Sequence, residues 1–190
     1  MFAYKKKYFL IIESIKDLDL KNIKISNKFN VIYRNENKIQ NIDKLQKFRK
    51  NCKTKKIDFY VSNNKKLALA LKADGLYISA KNKNLAISYT KNLNLKIIGG
   101  AHNIKEINTK ILQGCSTIFF SRLFKTSYLH KKSYLGLVKY NLISLIKNVN
   151  LVPLGGIRKS NLNKLKIVNC NSFALLSEVK KKPAITSRLF

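Results

Sequence analysis

The chain has 190 residues, 45% of them hydrophobic, which is enough for one packed domain and excludes an intrinsically disordered protein. It carries 39 Lys and Arg against 9 Asp and Glu, a formal net charge of +30, so its field attracts phosphates, nucleic acid and acidic surfaces. The lysines are scattered over every segment beside abundant Asn and Ile, as an AT-rich genome would produce, and this reading makes anion attraction a by-product of composition.

At the start of the chain Lys5, Lys6 and Lys7 precede the apolar run Tyr8–Ile12. Glu13 and Asp17 cut that run too short for a signal peptide. No stretch approaches the ~18 apolar residues of a membrane span, so a soluble, cytoplasmic protein without a membrane partner is expected. Cys52, Cys115 and Cys170 show no CxxC spacing and read as reduced, mostly buried thiols.

Eight short apolar runs then follow one another: Tyr8–Glu13, Asn30–Arg34, Ile57–Ser62, Gly75–Ser79, Leu95–Gly99, Thr117–Leu123, Leu151–Gly155 and Ser172–Ser177. They are rich in Ile, Val, Phe and Tyr and nearly continuous in apolarity, which is the pattern of strands covered by helices. Amphipathic segments separate them: Ile39–Arg49, Lys65–Lys72, Asn84–Asn92, Ile104–Gln113, Leu135–Lys147 and Ser160–Val168. In Lys65–Lys72, Leu67, Ala70 and Leu71 fall on one helical face. Ile15–Phe29 is only weakly helical, and Pro183 breaks a helix after the last strand. The alternation predicts α/β architecture with a parallel sheet. A doubly wound sheet usually carries a glycine-rich turn after its first strand. Here that strand ends in Glu13-Ser14-Ile15, so one (β/α)8 TIM barrel over residues 1–190 fits better.

Such barrels gather their chemistry at the C-terminal ends of the strands, with a frequent phosphate site after strands seven and eight. The segment Leu151-Val-Pro-Leu-Gly-Gly-Ile157 places Gly155 and Gly156 after the seventh strand, and glycine lets an anion approach the backbone. Leu176 and Ser177 end the eighth strand and could add backbone donors; a plain tight turn is the alternative. Gly99-Gly100-Ala101-His102 ends the fifth strand and puts His102 at the same rim, as a ligand-facing or a simple loop histidine. Arg34, Arg122, Lys125 and Arg158 are cations at that rim, each able to grip phosphate or to lie solvated. Of the nine carboxylates only Glu13, Glu36 and Glu178 lie near strand C-termini, whereas Asp58 and Asp74 belong to the opposite rim. No convergent acidic pair suggests a resident metal, and no RNA-recognition signature accompanies the lysines.

The segment Leu67-Ala-Leu-Ala-Leu-Lys-Ala-Asp-Gly75 and the Gly155-Gly156-Ile157 turn resemble thiamine phosphate synthase and its TenI (thiazole tautomerase) relatives, whose motif reads DLALALGADGVHLG. Val31–Arg34 is similar to the family's VQLREK strand, Leu123-Phe124-Lys125-Thr126 to PIFPT, and Phe173–Ser177 to VAVISAI. The resemblance covers nearly the whole chain. It implies a transferase of thiamine biosynthesis that joins a thiazole phosphate to a pyrimidine diphosphate, with pyrophosphate leaving under Mg²⁺. Arg34, kept from the family, joins the rim residues His102 and Arg122 as catalytic candidates, and Asn63, Asn64, Thr126, Gly155, Gly156, Leu176 and Ser177 are the candidates for substrate or phosphate contacts.

The departures are specific. The family's INDR falls on Val61-Ser62-Asn63-Asn64, so its metal-binding Asp becomes Asn63 and its Arg becomes Asn64. The second metal aspartate falls on Asn82, and the histidine of GVHLG on Tyr77. The family Gln and Lys of the second strand are Ile32 and Glu36, while Arg34 is kept. The fifth-strand Ser is missing, a lysine following Thr126 falls on Leu129, and Arg122 stands where tautomerases carry histidine. The phosphate half is preserved and the diphosphate–metal half is eroded. Three readings follow. The first is a synthase with an altered site, with no built-in cofactor and with Mg²⁺ brought by its substrate. The second is a catalytically silent barrel that binds a phosphorylated small molecule. The third is an anion- or RNA-binding protein that reuses the barrel, with RNA expected to bind only weakly and without sequence preference. Self-association stays open.

Overall fold

The computed structural model describes residues 7–23, 27–35, 41–86, 94–126 and 133–176. Eight strands form, one on each apolar run: β1 (Lys7–Ile12), β2 (Phe29–Tyr33), β3 (Asp58–Ser62), β4 (Gly75–Ile78), β5 (Lys96–Ala101), β6 (Thr117–Ser121), β7 (Asn150–Leu154) and β8 (Ser172–Leu175). Each pairs parallel with the next, and β8 closes back on β1, so the sheet is a complete TIM barrel in sequence order. Helices cover its outside: α1 (Ile42–Thr54), α2 (Lys65–Ala70), α3 (Ile104–Leu112) and α4 (Gly136–Ile146).

Three local expectations are corrected. Lys159–Ile167 is a run of 3-10 turns, not an α-helix. Its buried Leu162 and Leu165 are three residues apart, which suits three residues per turn, and Ser160, Asn161 and Asn163 compete for backbone hydrogen bonds. Gly99 does not end its strand, since β5 runs on through Gly100 to Ala101. On α2 the inner residues are Ala68 and Leu71 with Leu67 partly buried, while Ala70 is exposed. Between β1 and β2 the chain makes two short 3-10 turns, Ile15–Asp17 and Leu20–Asn22, in place of a regular helix. Residues 36–40, 87–93 and 177–190, with parts of two predicted helices and the Pro183 break, lie outside the described residues.

Two apolar cores result from the strand alternation. The outer one lies between sheet and helices and takes Leu10, Ile12, Val31, Phe59, Ile107 and Phe120 among others. The inner one fills the barrel axis with Phe9, Ile11, Ile32, Tyr60, Tyr77, Ile98, Phe119, Val152 and Ala174. Its aromatic rings touch in a chain: Phe9 lies edge-on to Phe119 at 4.8 Å, Tyr77 to Phe119 at 5.7 Å, and Phe9 is tilted against Tyr60 at 6.3 Å. Room for the tyrosines comes from glycine on neighbouring strands. Tyr60 pairs in register with Gly75, where a Cβ would lie 2.6 Å from the Tyr60 ring. A Cβ on Gly100 would strike the Tyr77 hydroxyl.

The N-terminal rim is closed by ion pairs. Asp58 meets Lys96 at 3.2 Å and Lys7 at 3.7 Å, and burial together with the Asp58 charge pushes the Tyr60 phenol above its ordinary range. Asp74 pairs with Arg49 at 2.9 Å and accepts the Phe59 N–H at 2.7 Å. Both aspartates therefore serve the rim opposite to the candidate site.

Cys52 and Cys115 are buried, and burial pushes each thiol up to about 12, while Cys170 is partly exposed. The thiolate is the reactive form. At pH 8 a thiol reagent should modify Cys170 in the native protein and reach Cys52 and Cys115 only in denaturant, as counted by mass spectrometry.

Candidate active site

The β6 and β7 loops form one corner of the C-terminal rim. Gly155 and Gly156 both have left-handed φ values, +93° and +71°, which favour glycine. A Cβ on Gly155 would lie 3.0 Å from Arg122 Cγ, and one on Gly156 would collide with the carbonyls of Phe124 and Lys125. Backbone bonds fix the two loops together: the Leu123 N–H donates to Leu154 at 3.0 Å and the Phe124 N–H to Gly155 at 3.1 Å. Asn161 locks the turn from the other side by donating Nδ2 to the Gly156 carbonyl at 2.8 Å and accepting the Arg158 N–H at 2.8 Å. Neither Gly155 nor Gly156 donates its own N–H to another described residue.

Arg122 crosses this corner. Its guanidinium donates to Thr126 Oγ1 at 3.4 Å and to the Ser133 carbonyl at 2.7 Å. Thr126, Arg122, Gly155 and Gly156 thus come together, and Leu176 packs against the inner core at the end of β8. Ser177 lies outside the described residues, as do Leu129, His130, Glu36 and Glu178.

Across the mouth, Arg34 leaves β2 and meets Glu13 of the β1 end at 3.4 Å, both partly exposed. Asp17 holds that β1 end by accepting the N–H groups of Glu13 and Ser14, each at 2.9 Å. The cation kept at position 34 is therefore partly neutralised by a carboxylate of the same rim.

The third part of the mouth lies after β3 and β4. Asn63, in a left-handed conformation that Asn tolerates, accepts the Ser79 N–H at 2.9 Å and donates Nδ2 to Ser79 Oγ at 2.9 Å. Asn82 donates its amide to Asn63 Oδ1 at 3.3 Å. Asn64 caps α2 by accepting the Leu67 N–H at 2.9 Å. Asn63, Ser79 and Asn82 form a neutral, hydrogen-bonded network at this part of the mouth. Among the described residues no group of three or more His, Cys, Asp or Glu could hold a metal ion. These amides do not fit a resident Mg²⁺, which wants carboxylate oxygens.

His102 follows β5 and is exposed. Its Nδ1 lies 3.1 Å from Glu106 Oε2, which also accepts the His102 N–H at 2.7 Å. Asn103 closes the same cap on α3 with reciprocal bonds to Glu106. The ring is oriented by this carboxylate at the end of β5.

Sequence reasoning missed three features. Ser62 shares the inward face of β3 with Asp58 and Tyr60, and its buried Oγ has no hydrogen-bond partner among the described residues. Alternation along β3 was the available signal. Tyr77 sits in the inner core with its hydroxyl against Gly100, at the floor of the mouth. Lys110 of α3 is fully buried, donates to the Asn82 carbonyl at 2.6 Å and to Gln113 Oε1 at 2.8 Å, and burial lowers its pKa. Gln113 in turn donates to the carbonyls of Asn82 and Asn84 at 3.0 and 2.9 Å. This pair fastens the β4 loop from behind, and no local pattern marks Lys110 among so many lysines.

The family model described as thiamine monophosphate synthase matches residues 21–179. The chain belongs to the thiamine monophosphate synthase family. The thiamine-phosphate synthase of Pelagibacter ubique is 30% identical over 162 residues, covering 83% of this chain and 78% of that protein. The thiamine-phosphate synthase of Prochlorococcus marinus strain SARG is 30% identical over 129 residues, 67% of this chain but only 37% of that protein. The chain thus spans little more than a third of the Prochlorococcus relatives it matches. In fold, thiamine phosphate pyrophosphorylase from Pyrococcus furiosus superposes with a TM-score of 0.74 at 18% identity, over 98% of this chain and 95% of that one. A 3-keto-L-gulonate-6-phosphate decarboxylase from Vibrio cholerae superposes with a TM-score of 0.65 at 11% identity, over 97% and 96% of the two chains. No helix among the described residues is long and apolar enough to cross a membrane.

Lys110→Met should free the β4 loop while keeping the packing of the aliphatic stem. A hydrogen bond to a charged group contributes about 1.5–3 kcal/mol, so amide exchange across residues 79–84 should rise about tenfold or more. Hydrogen-exchange mass spectrometry reads this directly, and unchanged exchange would show that the lysine does not fasten the loop.

Proposed function

We propose that this barrel is a thiamine-phosphate-synthase-type transferase that holds a thiazole phosphate at the β6–β7 corner. The observation that carries the reading is the convergence of Arg122 and Thr126 on the Gly155–Gly156 turn. Two glycine N–H groups, a hydroxyl and a guanidinium suit the three oxygens of a phosphate monoester. Leu176 and Ser177 would border the same phosphate. The thiazole would then reach inward over Tyr77 and Leu154, toward Arg34, Asn63 and Asn64.

The joined reaction would break the bond between the pyrimidine methylene carbon and its diphosphate oxygen, and the oxygen keeps the electron pair. The thiazole nitrogen then forms the new bond to that carbon. Arg34 and Arg122 would stabilise charge on the two phosphate groups, and His102 would face the ligand from the end of β5. Any Mg²⁺ comes as part of the diphosphate substrate, because the Asn63–Ser79–Asn82 network offers it no charge. Turnover is accordingly expected to be slow.

The same network supports a second reading, a barrel that binds a phosphorylated small molecule without chemistry. Nucleic acid is a weaker candidate. Net charge of +30 favours binding that is sequence-blind and fades steeply with salt.

Calorimetric titration with thiazole phosphate tests the corner. Gly156 is unsuitable for substitution, since any Cβ there strikes backbone. Arg122→Met and Thr126→Val keep the fold and should each weaken binding, the arginine change by about tenfold or more, since a charge-assisted contact contributes about 1.5–3 kcal/mol. Equal affinity in all three proteins would remove the corner as the phosphate site.

The Asn63→Asp, Asn82→Asp double change tests the other half. It should create measurable Mg²⁺ binding where the unmodified chain shows none, and raise single-turnover formation of thiamine phosphate. Robust Mg²⁺-dependent turnover by the unmodified chain would show that the neutral network is no handicap, and would overturn the reading of a weakened metal half.

A further inference from the structure

The outer face of α4 breaks the composition of the rest of the surface. The chain carries 39 Lys and Arg in 190 residues, and α1 alone holds five in 13: Lys44, Lys47, Arg49, Lys50 and Lys53. α4 has one cation, Lys139, and no acid. Its outward positions are Val138, Leu142, Leu145 and Ile146, spaced by three and four residues on one face. Leu112 at the end of α3 and Ile167 at the end of the 3-10 run extend this face. Lys147 ties α4 to α3 through Asn108 at 3.0 Å, and Asn141 ties α4 to the Ile167 carbonyl at 2.8 Å. The six apolar side chains are 56–77% exposed.

We infer that this face is the contact between two copies of the chain, with α4 packed against α4 across a two-fold axis. The six residues together, backbone included, expose roughly 700 Å², close to the ~800 Å² that each partner buries in a standard-size interface. Soluble monomers rarely expose contiguous apolar patches larger than a few hundred Å², and larger ones mark interaction sites. Depletion of charge at the centre of such a patch is the compositional mark of an interface. Electrostatics selects a second copy over an acidic partner. A partner recruited by charge would be drawn to the lysine-rich faces, and α4 has almost no charge to recruit it. For two bodies of charge +30, this nearly uncharged face is where approach does not set lysine rows against each other. A two-fold pairing also makes the patch self-complementary, so assembly stops at the dimer. Pairing through α4 does not depend on what the barrel binds.

The like charge of the two copies gives the test its signature. Salt shortens the reach of repulsion, to about 3 Å at 1 M against about 10 Å at 0.1 M. Sedimentation velocity of the full chain should show a dimer that tightens as sodium chloride is raised from ~0.05 to ~0.5 M. Leu142→Lys with Ile146→Lys should be monomeric throughout, and its thermal melt should match that of the unmodified chain at low salt and low concentration, where both are monomers, because both side chains face solvent. A second variant, Leu145→Cys made together with Cys170→Ser, should give a disulfide-linked dimer under mild oxidant, sensitive to the lysine pair. A chain that stays monomeric at high salt would overturn the inference, as would a dimer that survives the lysine pair. Binding through α4 to anionic phospholipid vesicles or to an acidic protein, weakening with salt, would likewise overturn it.

Discussion

Four aromatic rings on the barrel axis set the terms for everything else in this structure. Phe9, Tyr60, Tyr77 and Phe119 occupy the space that eight inward-pointing strands must fill, with neighbouring centroids 4.8 to 6.3 Å apart. A core this full leaves no room for polar chemistry in the lower barrel, so ligand contacts are confined to the loops at one rim. It also dictates glycine at two strand positions. Gly75 faces the Tyr60 ring, and Gly100 lies under the Tyr77 hydroxyl. The two tyrosines lean apart: Tyr60 toward Asp58 at the closed rim, Tyr77 toward the mouth.

The rim built on that core is electrostatically uneven. The Arg122–Thr126–Gly155–Gly156 corner presents hydrogen-bond donors and a cation. Across the mouth Arg34 is tempered by Glu13, and His102 by Glu106. Between them the Asn63–Ser79–Asn82 network is neutral but ordered. Its order is supplied from outside the mouth, by Lys110 and Gln113 holding the β4 loop through backbone carbonyls. A buried cation is costly unless it is hydrogen-bonded, so this lysine commits the loop to one conformation.

The strands were readable because a parallel sheet buried on both faces gives short apolar runs, and all eight runs became strands in the expected order. Boundaries were less readable. The Gly99-Gly100 pair resembles a strand end, yet both glycines stay in β5 because Lys110 and Tyr77 need the space beside them. Lys159–Ile167 has apolar spacing compatible with a helix, but its spacing of three and its asparagines settle into 3-10 turns. The glycine corner was visible because glycine at a strand end is informative by itself. Ser62, Lys110 and the Glu13–Arg34 pair were not, since each depends on contacts between residues far apart in the chain. A lysine among 39 Lys and Arg carries no local mark of burial.

The joint between the β6 and β7 loops has a consequence for how such a site can change. Gly156 lies against the Phe124 and Lys125 carbonyls, and two backbone hydrogen bonds cross between the same loops. Neither loop can be lengthened or re-aimed alone without breaking the other's backbone contacts. They behave as one cassette. New ligand preference at this corner would arise by exchanging both loops together, or by point changes in the side chains they display.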